Sequence, residues 1–148
     1  MPDYIIMMFW NKKRWFLFFL LWEVFISCNN GNPASDAKIT PYEKGKEVYD
    51  RTCVACHLAS GKGIATTFPP LEKSDFLILG KTAAITQVIK GKTGALIVNG
   101  MPYNNIMPPQ GLSDEDVANV LTYVYGSFGN IGTKVTAADV KTVRSTLH

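Results

Sequence analysis

Two thiols and an imidazole fall within five positions in the stretch "RTCVACHLASGKG", at Cys53, Cys56 and His57. Three chemistries use such a cluster: a structural zinc site, a redox dithiol, or covalent attachment of a haem. A structural zinc ion wants four ligands, commonly as two separated pairs. Beyond these three the chain offers only Cys28, directly behind an apolar segment, and His148, its last residue. Adjacent Cys56 and His57 also serve one tetrahedral ion poorly. A redox dithiol needs a strand–helix setting around C-x-x-C, whereas the surrounding pattern is helical. C-x-x-C-H is the attachment signature of a c-type haem. Cysteines at i and i+3 on one helical turn reach the two vinyl groups of a porphyrin as thioethers. The next histidine then aims Nε2 at the iron from the same side. Only this chemistry uses all three residues.

An electron-transfer haem iron takes Met or a second His opposite the proximal His. The only other histidine is His148. Of the five methionines, 1, 7 and 8 lie in the N-terminal segment, which leaves Met101 in "NGMPY" and Met107 in "NIMPPQGLSDED". A thioether ligand needs a rigid loop, and Pro108 and Pro109 stiffen the chain behind Met107. Met107 is therefore the favoured distal ligand, with Met101 second. If both methionines merely fill space, the iron is five-coordinate and open to substrate or gas.

The elements around these residues decide whether they can be positioned. Residues 1–27 read as a leader: Lys12, Lys13 and Arg14 precede "WFLFFLLWEVFI", a run of 12 residues with one charge at Glu23. That run falls short of the roughly 20 apolar residues of a membrane span. A basic patch before a short apolar run is the layout of an export signal. "FISC" then sets Ser27 before Cys28, which resembles the lipobox of bacterial lipoproteins and makes Cys28 a lipid-attachment candidate. Cys28 also accounts for the odd cysteine count. Residues 28–40, rich in Asn, Gly, Pro and Ser, read as a flexible tether, and 41–148 as one domain. Setting the leader aside removes three of 15 basic and two of 12 acidic residues, for a formal charge of +2. That balance carries no nucleic-acid footprint.

Apolar spacing of three and four predicts helices over about 42–51, 74–79, 82–90, from Ser113 to Gly126 or Gly129, and 136–147. Ser113 is an N-cap candidate, with Asp114, Glu115 and Asp116 in the first turn, where the helix dipole favours negative charge. Residues 58–72 and 91–111 are glycine- and proline-rich loops, with at most a small hairpin near "ALIVNG". The expected fold is small and all-α, with four to five helices around the haem.

From Tyr42 onward the chain resembles the class I monohaem cytochromes c. It is similar to the domains found with copper nitrite reductases, alcohol dehydrogenases and sulfite-oxidising enzymes. "GKEVYDRTCVACH", "GKG…FPPL", "VNGMPYNNIMPP" and "LSDEDVANVLTYVYGSFGN" carry the likeness. The resemblance implies Cys53 and Cys56 as thioethers of one haem c, His57 as proximal ligand and Met107 as distal ligand. It implies the Pro69 carbonyl as acceptor for the His57 Nδ1–H, with Pro70 the rival. Gly45 and Tyr49 would cross a C-terminal helix at Val120 and Tyr123. The family's common Arg–Asn–Ser–Trp run is here Tyr125-Gly126-Ser127-Phe128. Phe68, Leu71, Leu79, Ile85, Val88 and Val98 are expected to bury the haem, and Lys62, Lys81, Lys90 and Lys92 to steer a partner to its exposed edge.

The implied function is one-electron transfer, not catalysis, by a carrier on the periplasmic side of the cell envelope, lipid-anchored to a membrane. A monomer making transient contacts under about 1,200 Å² is expected. Nitrite reductase, a terminal oxidase, or a sulfite- or alcohol-oxidising enzyme are the partner classes. A haem subunit bound tightly to an oxidoreductase, and a five-coordinate haem enzyme or gas sensor, are the alternatives.

Overall fold

In a computed structural model, residues 38–132 and 134–147 are described. The leader of residues 1–27, Cys28, tether residues 29–37 and His148 lie outside them. From Ile39 onward the chain packs as one unit. Its elements are helix α1 (Pro41–Thr52), the short turns α2 (Val54–His57) and α3 (Asp75–Ile78), helix α4 (Lys81–Lys90), strands β1 (Leu96–Val98) and β2 (Met101–Tyr103), and helices α5 (Asp114–Tyr125) and α6 (Ala137–Ser145). Among the described residues the regular elements are thus helices apart from one hairpin, joined by long loops. Two of the six helices are single turns too short for a periodicity argument to resolve.

Local chemistry starts the long helices. Thr40 caps α1 by accepting from Glu43 N while the Glu43 carboxylate accepts from Thr40 N at 2.7 Å, a reciprocal capping box ahead of Pro41. Ser113 caps α5 by accepting from Asp116 N, and Thr136 with Asp139 repeats the capping box at α6. Asn99 and Gly100, with φ of 51° and 76°, form the two-residue turn that antiparallel β1 and β2 require. Asp75 and Asn99 exchange backbone-to-side-chain hydrogen bonds at 3.0 and 2.9 Å, fastening this turn to α3.

The core forms where α1 crosses α5. A methyl group built on Gly45 would sit 2.0 Å from the Asn119 carbonyl oxygen and 2.8 Å from Tyr123 Cβ, so only glycine admits this approach. The expected crossing partner Val120 gives way to Asn119, one residue earlier. The nearest atom is a backbone carbonyl, while Val120 is turned to line the cleft described below. Tyr49 and Tyr123 pack at 5.3 Å between ring centroids, Tyr42 lies 5.0 Å from Tyr123, and Phe128 closes the cluster 5.5 Å from Tyr49. The run 125–128 serves this packing: Tyr125 OH donates to Leu77 O, and Ser127 pairs with Tyr42 OH.

Helix α6 is joined to α4 by Lys81 and Asp139, whose charged atoms are 2.7 Å apart. The Lys81 ammonium, then the Thr136 hydroxyl and backbone N–H, hold the Asp139 carboxyl down at about 2, from 3.8. A carboxyl depressed on folding contributes stability above its unfolded value, and that stability is lost as pH falls toward the folded one. The holoprotein should therefore lose stability between pH 3.8 and about 2 more steeply than Asp139→Asn, compared by acid titration of far-ultraviolet circular dichroism. Parallel curves would show that the pair contributes nothing.

Candidate functional site

Cys53 stands at the junction of α1 and α2, and His57 N and Cys56 N donate to Cys53 O at 2.9 and 3.2 Å. One helical turn therefore carries both thiols and the imidazole. The chain reverses after His57 through Leu58, whose carbonyl accepts from Tyr49 OH at 2.7 Å. Gly61 and Gly63 then lead into a loop that returns as Phe68 and Pro69. His57 Nδ1 lies 3.0 Å from Pro69 O; a carbonyl only accepts, so Nδ1 carries the proton. The carbonyl reached is that of Pro69, not Pro70. Gly63 makes this possible, since a methyl there would meet Phe68 O at 2.2 Å and Pro69 O at 2.6 Å. Burial pushes the His57 ring down from its ordinary value, against the pull of the Pro69 carbonyl. Burial thus favours the neutral imidazole, and among the described residues its Nε2 has no hydrogen-bond partner.

Across the cleft, Met107 is clamped through its backbone. Lys92 N donates to Met107 O at 2.7 Å, and Met107 N to Lys92 O at 2.9 Å. Gly91 has φ +71°, and a Cβ there would lie 2.3 Å from Met107 O. Gln110 N donates to Val88 O, so the 105–110 loop lies along the end of α4. Met101 lies in β2, 48% exposed, and lines neither lobe of the cleft.

The cleft between His57 and Met107 has two lobes that share Cys53, His57, Pro69, Gln87, Leu96 and Met107. Its walls are a stripe of α4 (Ala84, Gln87, Val88), a stripe of α5 (Val120, Leu121, Val124) and Leu77 and Val98. The other lobe adds Cys56, Phe68, Tyr103 and Ile106. Phe68, Leu71, Val88 and Val98 line it as expected, but Leu79 and Ile85 do not. Leu79 is 73% exposed beyond the end of α3, and Leu77 takes the inward place; Ile85 is wholly buried in the core behind the stripe. The sequence reading missed Leu77 because a one-turn helix gives no periodicity to choose between neighbouring leucines. It missed Gln87 because a polar residue interrupts an apolar stripe. The four steering lysines also divide. Lys81 is paired with Asp139, and Lys92 Nζ donates to the carbonyls of its own loop, leaving Lys62 and Lys90 exposed.

These residues fit a flat apolar group carrying a metal. The walls are mostly hydrocarbon, the His57 imidazole and a thioether sulfur line the same space, and two thiols stand on one turn beside it. Burial pushes the Cys53 thiol up from its ordinary value, the reverse of what an attacking redox thiol needs. Among the described residues, no group of three or more His, Cys, Asp or Glu side chains could hold a bare metal ion.

The Cytochrome c family model matches residues 42–127, the span that builds the cleft. This chain belongs to the cytochrome c family: it carries one covalently bound haem c and serves electron transfer, without being a catalyst itself. It is similar to cytochrome c-552 of Thermus thermophilus, 34% identical over 111 residues that cover 68% of this chain and 84% of that protein. It is also similar to the cytochrome c subunit of alcohol dehydrogenase (quinone) from Gluconobacter oxydans (strain 621H), 32% identical over 108 residues and 69% of this chain. The gluconate 2-dehydrogenase cytochrome c subunit of Pantoea cypripedii is 34% identical over 108 residues, again 69% of this chain. The matched regions are 22% and 24% of those two subunits.

Proposed function

We propose that this protein is a one-electron carrier whose haem is bound by Cys53 and Cys56 and ligated by His57 and Met107. The observation that carries the reading is the placement of His57 and Met107 on the same apolar cleft, each fixed by its own backbone device. When bound, the haem supplies a single Fe(III)/Fe(II) couple. Pro69 orients the imidazole and raises its basicity through Nδ1, and the Lys92 bridge presents the thioether. With His57 and Met107 both holding the iron, no site would be left for substrate, and a thioether ligand would raise the potential relative to a second imidazole. Apolar walls act in the same direction by disfavouring the extra charge of Fe(III). The oxidised holoprotein should show the weak absorption at the red end of the visible range that marks methionine on ferric haem. Ready binding of carbon monoxide by the ferrous form would favour the enzyme or sensor reading instead.

The partner is best read as a dehydrogenase, since relatives of this chain are cytochrome subunits of alcohol and gluconate dehydrogenases. Co-elution with a candidate dehydrogenase in size-exclusion chromatography would mark a tightly held subunit; separate elution with rapid reduction would mark a shuttle. A lipid on Cys28 would keep the carrier on the periplasmic face of its membrane. Cys28→Ala is then expected to move most of the protein from the membrane to the soluble fraction. Retention on the membrane would overturn the lipid anchor and leave the haem site untouched.

A further inference from the structure

We propose that Gln87 sets the redox poise of this protein by donating an amide hydrogen bond to the sulfur of Met107. The inference rests on Met107 being the distal ligand and extends it to a residue that the cysteine–histidine motif does not mark. Gln87 Nε2 lies 3.9 Å from Met107 Sδ. A thioether sulfur is only a weak acceptor, so the amide nitrogen and not the oxygen is the end that can face it usefully. Gln87 lines both lobes of the cleft, on a stripe of α4 whose other members, Ala84 and Val88, are apolar. A half-buried amide among hydrocarbon is costly without a partner, and among the described residues the sulfur is the partner its nitrogen has.

The backbone around Met107 is already fixed without this side chain. The Lys92 bridge, the close approach at Gly91 and the Gln110 N–H on Val88 O place the loop on their own. What Gln87 adds falls on the sulfur itself. A donor on the lone pairs draws electron density away from the metal, and the more electron-poor Fe(III) loses more by this than Fe(II). The reduced form is favoured, by the hydrogen-bonding lever through which proteins tune haem potentials. A hydrogen bond of ordinary net strength is worth about two- to tenfold in an equilibrium.

The test uses the haem-loaded full chain, poised at fixed neutral pH against a redox dye of known potential, with the red-end absorption read in parallel. Gln87→Leu removes the donor at similar volume and is expected to shift the equilibrium about two- to tenfold toward Fe(III), tenfold being about 59 mV for one electron. Gln87→Glu, of equal length but presenting an acceptor, is expected to shift it further the same way. The methionine band should persist in both. A normal band with an unchanged equilibrium in Gln87→Leu overturns the role of Gln87 and leaves the ligand reading standing. Loss of the band in Gln87→Leu also overturns it, by showing that the side chain holds the loop. Absence of the band in the unsubstituted protein overturns the ligand reading, and this proposal with it. If Gln87→Leu fails to take up haem, Gln87→Glu against the unsubstituted chain decides on the same terms.

Discussion

Met107→Ala is expected to abolish the red-end absorption of the oxidised holoprotein, to let the ferrous form bind carbon monoxide, and to lower the reduction potential. The fall should be a sizeable part of the roughly 0.8 V that axial ligands span. The argument is one of replacement. Among the described residues Met101 is the other methionine, and it sits in β2, whose pairing with β1 keeps it off the cleft. Lys92 lines the cleft beside Met107, but its Nζ is spent on the carbonyls of Thr93 and Gly94. Among the described residues no ready substitute lines the cleft, so the position should open to small ligands. Fold and covalent attachment should survive, because the Lys92 bridge uses only the backbone of residue 107. Met101→Ala is the matched control and should leave spectrum and potential unchanged. A full red band in Met107→Ala would assign the distal ligand elsewhere.

The second large effect is on stability and has a sign that separates two causes. Glycine inside a helix costs roughly 0.5–1 kcal/mol relative to alanine, so local propensity alone makes Gly45→Ala stabilising. The crossing of α1 over α5 opposes this, because the new methyl would lie 2.0 Å from Asn119 O and 2.8 Å from Tyr123 Cβ. Neither neighbour is the loose end of a flexible chain. Overpacking costs about 1–3 kcal/mol, and more where backbone must move. The net expectation is a loss of about 2 kcal/mol, or a fall in Tm on the order of 10 °C for a domain of this size. Thermal melts of the oxidised holoprotein would measure it. A Tm that rises would mean that the helices can separate at little cost and that the crossing does not hold the fold together.

Much of this molecule is legible in its sequence. The two thiols and the imidazole are local: the five consecutive residues 53–57 form one turn, so their spacing alone dictates their relative placement. The cap at Ser113 is local as well, since its side chain satisfies a backbone donor three residues on. The five longer helical predictions follow the structure closely wherever a helix exceeds two turns. They are weakest at 74–79, where one turn remains and Leu77 displaces Leu79 as the inward residue.

What the chain order could not reveal lies in contacts between segments distant in sequence. The choice of Asn119 over Val120 opposite Gly45 depends on how far α5 is rotated, and packing on both of its faces sets that rotation. The capture of Lys81 by Asp139 depends on α6 lying beside α4. Gln87 reads as a polar flaw in an apolar stripe until the 105–110 loop folds back along α4 and sets a sulfur before it. Local spacing thus determined the chemistry this protein can attempt: two thioethers and an imidazole on one turn, and two methionines to choose between. Only the packing of α4 against the methionine loop decided which sulfur lies on the cleft and which amide touches it. Hydrogen bonds and steric exclusion between remote segments leave no period in the sequence.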